Sequence, residues 1–120
     1  MKQAGKKGLQ VVPPGGSISV KHGQPQYFTG TDIDTIENVF GKTVVLGIGK
    51  NATVRMVKGA HGTLILCNMS AETVMESGGN VRVYDGDVGD VIQVHGHLWV
   101  YGGSIFGQII NSGNNIRVFP

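Results

Sequence analysis

Charge is scarce in this sequence. Asp, Glu, Lys and Arg make up 15% of its 120 residues, against about a quarter in typical globular chains, so its polar surface must come from Gly, Ser, Thr and Asn. Cysteine is nearly absent. With Cys67 alone, an intrachain disulfide and a cysteine-based zinc site are both excluded. Long apolar runs are missing too. None approaches the ~18 residues of a transmembrane helix, and Met1 to Gly8 lacks the apolar core of a secretory signal, so no membrane partner is expected. Opening on its own Met1, the chain is expected to be complete and to act without Sec export. No stretch sustains the i, i+3, i+4 apolar spacing of an amphipathic helix. Only Asp32 to Phe40 spaces Ile33, Ile36 and Phe40 so that one helical turn is an option, and it reads equally well as loop and strand.

Glycine is what the sequence has in excess, at 20 of 120 residues against a usual share of about 7%. There is no strict Gly-X-Y period, so collagen is excluded. Glycine at this density among Val and Ile points to many short strands joined by tight turns.

Those strands repeat. Asn80-Val81-Arg82-Val83-Tyr84, His97-Leu98-Trp99-Val100-Tyr101 and Asn115-Ile116-Arg117-Val118-Phe119 superimpose at spacings of 17 and then 18 residues. Thr63-Leu64-Ile65-Leu66-Cys67 fits 17 residues earlier, and Val44-Val45-Leu46 fits less well at about 20. A second strand lies between successive members: Thr53–Met56, Thr73–Glu76, Val91–Val94 and Ile109–Ser112. Glycine turns separate the two, as at Ser77-Gly78-Gly79, His95-Gly96 and Ser112-Gly113-Asn114. The unit is therefore strand, turn, strand, turn. One such unit cannot bury an apolar face alone, but stacked units can, each strand pairing with its equivalent at ~4.8 Å.

The stretch TVMESGGNVRVYDGDVGDVIQVHGHLWVYGGSIFGQIINSGNNIRVF, residues 73–119, resembles the roughly 19-residue Ser-Gly-Gly repeats in passenger domains of self-associating autotransporter adhesins. It also resembles the β-helices of phage tailspikes and other virion proteins. The resemblance covers about residues 53–119. It implies an all-β, right-handed parallel β-helix of about five rungs, with adhesion or particle structure as the role. The adhesins add long repeat arrays, an export signal and a membrane barrel, which this sequence lacks.

The chain divides at residue 31. Residues 1–31 hold Lys2, Lys6, Lys7 and Lys21 and no acid, whereas 32–120 hold six bases and eight acids. The first part reads as a basic N-terminal arm and cap, with Leu9–Val12 and Ser17–Val20 as strands around Pro13-Pro14-Gly15-Gly16. Tyr27 and Phe28 would cover the open end of the stack, which otherwise invites edge pairing. Residues 32–120 read as the solenoid. Four lysines without interleaved aromatics are weak support for nucleic acid, so that partner is not expected. A protein shell with an acidic surface is the partner such an arm suits.

Alternation assigns an outward face. With Leu64, Leu66, Val81, Val83, Leu98, Val100, Ile116 and Val118 inward, Ile65, Arg82, Trp99 and Arg117 form one outward column. Cys67, Tyr84, Tyr101 and Phe119 form another. Trp, Tyr and Arg are the usual anchors of interfaces, so these columns are the expected contact surface. Self-association is favoured, as a trimer of the kind parallel β-helices commonly form, with a glycan-binding shelf as the alternative. The bland reading of the same columns is ordinary ladder packing.

Other constellations carry less. His95 and His97 form a pair two residues apart, but no third metal ligand is assignable, and His22 and His61 are distant along the chain. Asp85-Gly86-Asp87-Val88-Gly89-Asp90 lacks the spacing and later Glu of a calcium loop. Asp32, Asp34 and Glu37 cluster without forming a recognisable acid/base pair. No Gly-x-Ser-x-Gly occurs, Gly47-Ile48-Gly49-Lys50 lacks the rest of a P-loop, and Cys67 has no assignable base. No catalytic residue, metal or cofactor is therefore expected. The expected role is structural: a phage capsid decoration protein or a tail or fibre component, at a virion or extracellular surface. A carbohydrate-binding or adhesive module is the second expectation.

Overall fold

Short β-branched segments punctuated by glycine predict strands alone. A computed structural model describes residues 8–21, 23–37 and 39–120, and none of these is helical. Among the described residues thirteen strands follow one another: β1 (Leu9–Val11), β2 (Gly16–Ser19), β3 (Gln26–Gly30), β4 (Asp32–Glu37), β5 (Lys42–Gly47), β6 (Thr53–Lys58), β7 (Thr63–Cys67), β8 (Ser70–Ser77), β9 (Asn80–Tyr84), β10 (Val88–Val94), β11 (His97–Tyr101), β12 (Ile109–Ile110) and β13 (Ile116–Phe119). The odd-numbered strands form a seven-stranded sheet and the even-numbered strands a six-stranded one. Every pairing is parallel. Each rung is one odd strand followed by one even strand, and β13 adds a last half rung. This is the parallel β-helix expected, with about one rung more than the sequence suggests. Pairing begins at Leu9, inside the segment read as arm and cap: β1 pairs with β3, and β3 with β5. Tyr27 and Phe28 lie within β3 and are flanked on both sides by paired strands.

The odd sheet keeps the two-residue alternation. Leu64 and Leu66, Val81 and Val83, and Leu98 and Val100 are fully buried, while their neighbours face outward. The even sheet does not. Across β4, β6, β8 and β10 the buried residues fall every third position: Ile33, Ile36 and Val39; Val54, Val57 and Ala60; Ala71, Val74 and Ser77; Val88, Val91 and Val94. Between them two residues in succession face outward, which a flat strand cannot do. At β2 alone Ile18 and Val20 keep the spacing of two. Ladder pairing skips Asp34, Arg55, Glu72 and Gly89, where the strands turn. The helix-like spacing of Ile33 and Ile36 is therefore the inward period of a bent strand. Val39, not Phe40, completes it, and Phe40 is exposed. The second strand also runs longer than the sequence reading gives it, Ser70–Ser77 rather than 73–76.

Rungs repeat at 17 residues where they are most regular, as in the Ser70 and Asp87 pair. The poor fit near Val44 is an insertion. Arg55 and Asp34 are 21 residues apart along the chain, because the turn between β5 and β6 is longer than those between β3 and β4 and between β7 and β8. Asn68 ties that turn down, its side-chain amide donating to the carbonyls of Gly47 (3.0 Å) and Gly49 (2.9 Å). At one corner Asn68, Asp85 and Gly102 share a left-handed backbone, with φ of 57°, 58° and 74°. Asn, Asp and Gly adopt it most readily.

Candidate functional site

Strand pairing fixes what lines up on the outside. The register matches Ile65 to Arg82, Arg82 to Trp99 and Trp99 to Arg117, and likewise Cys67 to Tyr84, Tyr84 to Tyr101 and Tyr101 to Phe119. Both outward columns thus lie on the odd sheet in the order the repeat implies. Parallel strands sit ~4.8 Å apart, close to the spacing of stacked rings, so identical positions stack without further adjustment. Tyr84 and Tyr101 stack at 4.8 Å with 6° between planes, and Tyr101 and Phe119 at 4.7 Å with 11°. The neighbouring column joins them: Trp99 meets Phe119 edge-on at 6.1 Å. The Arg82 guanidinium lies over the Trp99 ring at 5.3 Å, a cation–π contact. His97, two residues before Trp99 and so on the same face, stacks on it at 5.2 Å.

The result is a contiguous aromatic and arginine surface over β9, β11 and β13. Its rings are half-buried, covered chiefly by one another, while Arg117 is exposed. The indole Nε1 of Trp99 and the Nε of Arg82 are shielded from solvent and lack a hydrogen-bond partner. Donors left in that state cost free energy. Towards the N-terminus the same columns turn aliphatic, through Val44 and the exposed Leu46. Cys67 sits half-buried in the second column, and burial pushes its thiol pKa up, with Asp85 adding to the shift. It is thus held in the less nucleophilic form.

The remaining sequence candidates scatter. His97 belongs to the aromatic face, whereas His95 lies at a corner of the rung beside His61 and Glu76. His22 lies outside the described residues. No group of three His, Cys, Asp or Glu side chains suited to a metal ion occurs among the described residues. Two of the three aspartates of residues 85–90 serve the backbone of the next rung. Asp87 accepts from the Ser104 amide at 2.9 Å, and Asp90 from the Gln108 amide at 3.0 Å. Asp34 is paired with Arg55 at 2.7 Å, and that hydrogen bond, with a second from Thr35, holds its carboxyl below the usual carboxylate range. Lys21 is exposed, and Lys2, Lys6 and Lys7 lie outside the described residues.

One grouping escaped sequence reasoning. His61, Gly78 and His95 occupy the same corner position in three successive rungs, each just before the paired glycines Gly62, Gly79 and Gly96. The signal was present as His-Gly, Gly-Gly and His-Gly at the repeat spacing. In a sequence a glycine turn reads as a connection, whatever side chain stands beside the glycine.

No family model, curated protein or solved structure matches this chain.

Proposed function

We propose that this protein is a non-enzymatic building element of a larger particle that self-associates through the outer face of its odd sheet. The observation that carries the reading is the ladder Tyr84, Tyr101, Phe119, joined by Trp99 and Arg82. Aromatic and arginine anchors with few competing charges are the composition of an interface centre. The molecule is elongated, 47 × 29 × 25 Å, and its ladders run through every rung, which suits a stiff spacer. The likeness to self-associating passenger repeats and to tailspike β-helices adds a role at a virion or extracellular surface, such as capsid decoration or a tail or fibre part. It also adds a trimer as the favoured assembly. In that role Lys2, Lys6 and Lys7, together with the exposed Lys21 between β2 and β3, meet an acidic protein shell.

Glycan binding is the second reading and is less well supported. A sugar packs on the open face of an aromatic ring, yet Tyr101 is stacked on both sides and Trp99 is covered by His97 and Arg82.

Sedimentation of the wild type and of Trp99→Ala decides between them. Self-association predicts an oligomer at micromolar concentration that moves towards monomer in the variant. A wild-type monomer with freely quenchable Trp99 fluorescence overturns the proposal. Binding on a glycan array, lost in Trp99→Ala with the mass unchanged, would favour the second reading.

A further inference from the structure

The corner ladder of His61, Gly78 and His95 has a missing member. Phe40 stands on His61 with ring centroids 5.8 Å apart, so the column runs Phe, His, then no side chain, then His. The gap belongs to an open cleft of about 330 Å³ lined by His61, Glu76, Ser77, Gly78, Gln93 and His95.

Glycine at position 78 is not required by the fold. Its backbone is outside the left-handed region, and a β-carbon there would meet only the Nδ1 of His61, at an ordinary 3.6 Å. Its neighbour Gly79 is the opposite case: a β-carbon would run into the backbone of His61 and Gly62. One glycine of the pair lets the rungs stack, and the other leaves a slot one side chain wide.

The slot has a definite chemistry. Histidines stand one rung to either side, roughly 9–10 Å apart at the usual strand spacing. Glu76 is the only carboxylate or full cation among the lining residues. Its carboxylate is held only loosely by Lys58, at 3.9 Å and with both side chains about half exposed, a kind of pair that contributes little. A group that fits must be thin, flat and positively charged, and must bond a carboxylate in its own plane. A guanidinium meets all four conditions: it stacks on ring faces and pairs bidentately with carboxylates. An ammonium lacks the plane, and a phosphate has the wrong sign. We infer that this cleft binds an arginine side chain of a partner polypeptide, flat between His61 and His95 and paired with Glu76. The site lies off the aromatic face and does not depend on its role.

Three capped tripeptides, Gly-Arg-Gly, Gly-Lys-Gly and Gly-citrulline-Gly, should be titrated into the full chain at about pH 8, where imidazole is generally neutral. The readout is the ring-proton shifts of His61 and His95. The arginine peptide should shift both rings saturably, with the lysine and the uncharged citrulline peptides at least about five-fold weaker. Glu76→Gln should weaken arginine binding about ten-fold. Gly78→His should fill the slot and abolish binding, with the circular dichroism of the wild type retained. No saturable shift with arginine overturns the inference. So does equal binding of all three peptides, an unaffected Glu76→Gln, or a folded Gly78→His that still binds.

Discussion

In the odd sheet every second residue faces the interior, whereas in β4, β6, β8 and β10 of the even sheet every third residue does. Both sheets are made of the same rungs, so the difference is one of strand shape. A flat strand puts its outer residues in straight columns, and rings at equivalent positions then stack at the strand spacing. A strand that turns at Asp34, Arg55, Glu72 and Gly89 fans its outer residues apart. Charge divides accordingly. The even sheet carries Asp32, Asp34, Glu37, Arg55, Lys58, Glu72, Glu76 and Asp90 within its strands. The odd sheet carries only Lys42, Arg82 and Arg117. One sheet is thus furnished for solvent and the other for contact, although each buries a continuous apolar interior.

The sharpest way to break this comparison is to place a carboxylate at consecutive positions of β10. Val91 and Val94 face inward and Ile92 does not. Val91→Asp and Val94→Asp should each lose more than about 3 kcal/mol, because a buried unpaired carboxylate has no compensation. Ile92→Asp should stay within about 1 kcal/mol. Chemical denaturation of the three variants measures this directly. Equal losses at 92 and 94 would restore a two-residue period and remove the bend.

That same bend marks the limit of what the sequence reveals. The odd strands were legible because their period of two is a property of single residues: Val81 and Val83, Leu98 and Val100 declare their side at once. Their register followed from the repeat spacing, and with it both outward columns. The even strands hid their pattern, because Ile33 and Ile36 at a spacing of three imitate a helical turn. The first rungs hid for a different reason. Leu9–Val12 and Ser17–Val20 read as strands, as β1 and β2 are, but Gln10 and Gln26, whose amides bond each other at 2.8 Å, stand where later rungs bury Val45 and Thr43, so no apolar alternation ties these strands to the repeat. The corner cleft was hidden because two glycines in one turn look alike in a sequence. Only the neighbouring rungs distinguish Gly78 from Gly79.

Those two glycines give the next largest effect. Gly79→Ala forces a methyl group onto the backbone of the preceding rung, and overpacking against unyielding atoms should cost about 2–3 kcal/mol. Gly78→Ala meets only the Nδ1 of His61, at an ordinary contact distance of 3.6 Å, and should lie within about 0.5 kcal/mol of the wild type. Thermal unfolding of the pair would settle it. A stable Gly79→Ala would mean that the rungs stand further apart at this corner than described.

On the outer faces the effects shrink and the sheets should diverge again. Tyr101 is stacked on both sides, so Tyr101→Ala removes two ring contacts at about 0.5–1.5 kcal/mol each. Met75, a half-buried outer residue of the even sheet, has no ring to stack on, and Met75→Ala should cost clearly less. If the two variants unfold alike, the aromatic ladder adds nothing to ordinary ladder packing. Its composition would then have to be explained by partners alone.

The smallest effect belongs to the Asp34–Arg55 pair of the even sheet. Asp34 accepts from the Arg55 Nε at 2.7 Å, with about half of each side chain exposed. The bond holds the Asp34 carboxyl below its ordinary range and raises the Arg55 pKa. A carboxyl whose pKa is lower folded than unfolded contributes stability that is full above the ordinary carboxylate range. That stability is lost as pH falls through the lowered folded pKa. The thermal midpoints of wild type and Arg55→Ala should therefore differ slightly at neutral pH and converge in strong acid. Added salt should shrink the neutral-pH difference, since exposed charges are screened. A carbon-detected titration of Asp34 gives the direct reading: its midpoint should move up towards the ordinary range in Arg55→Ala. An unmoved midpoint would mean that the fold around Thr35, and not the cross-rung arginine, sets this carboxyl. The even sheet's charges would then be independent solvated groups rather than a ladder of their own.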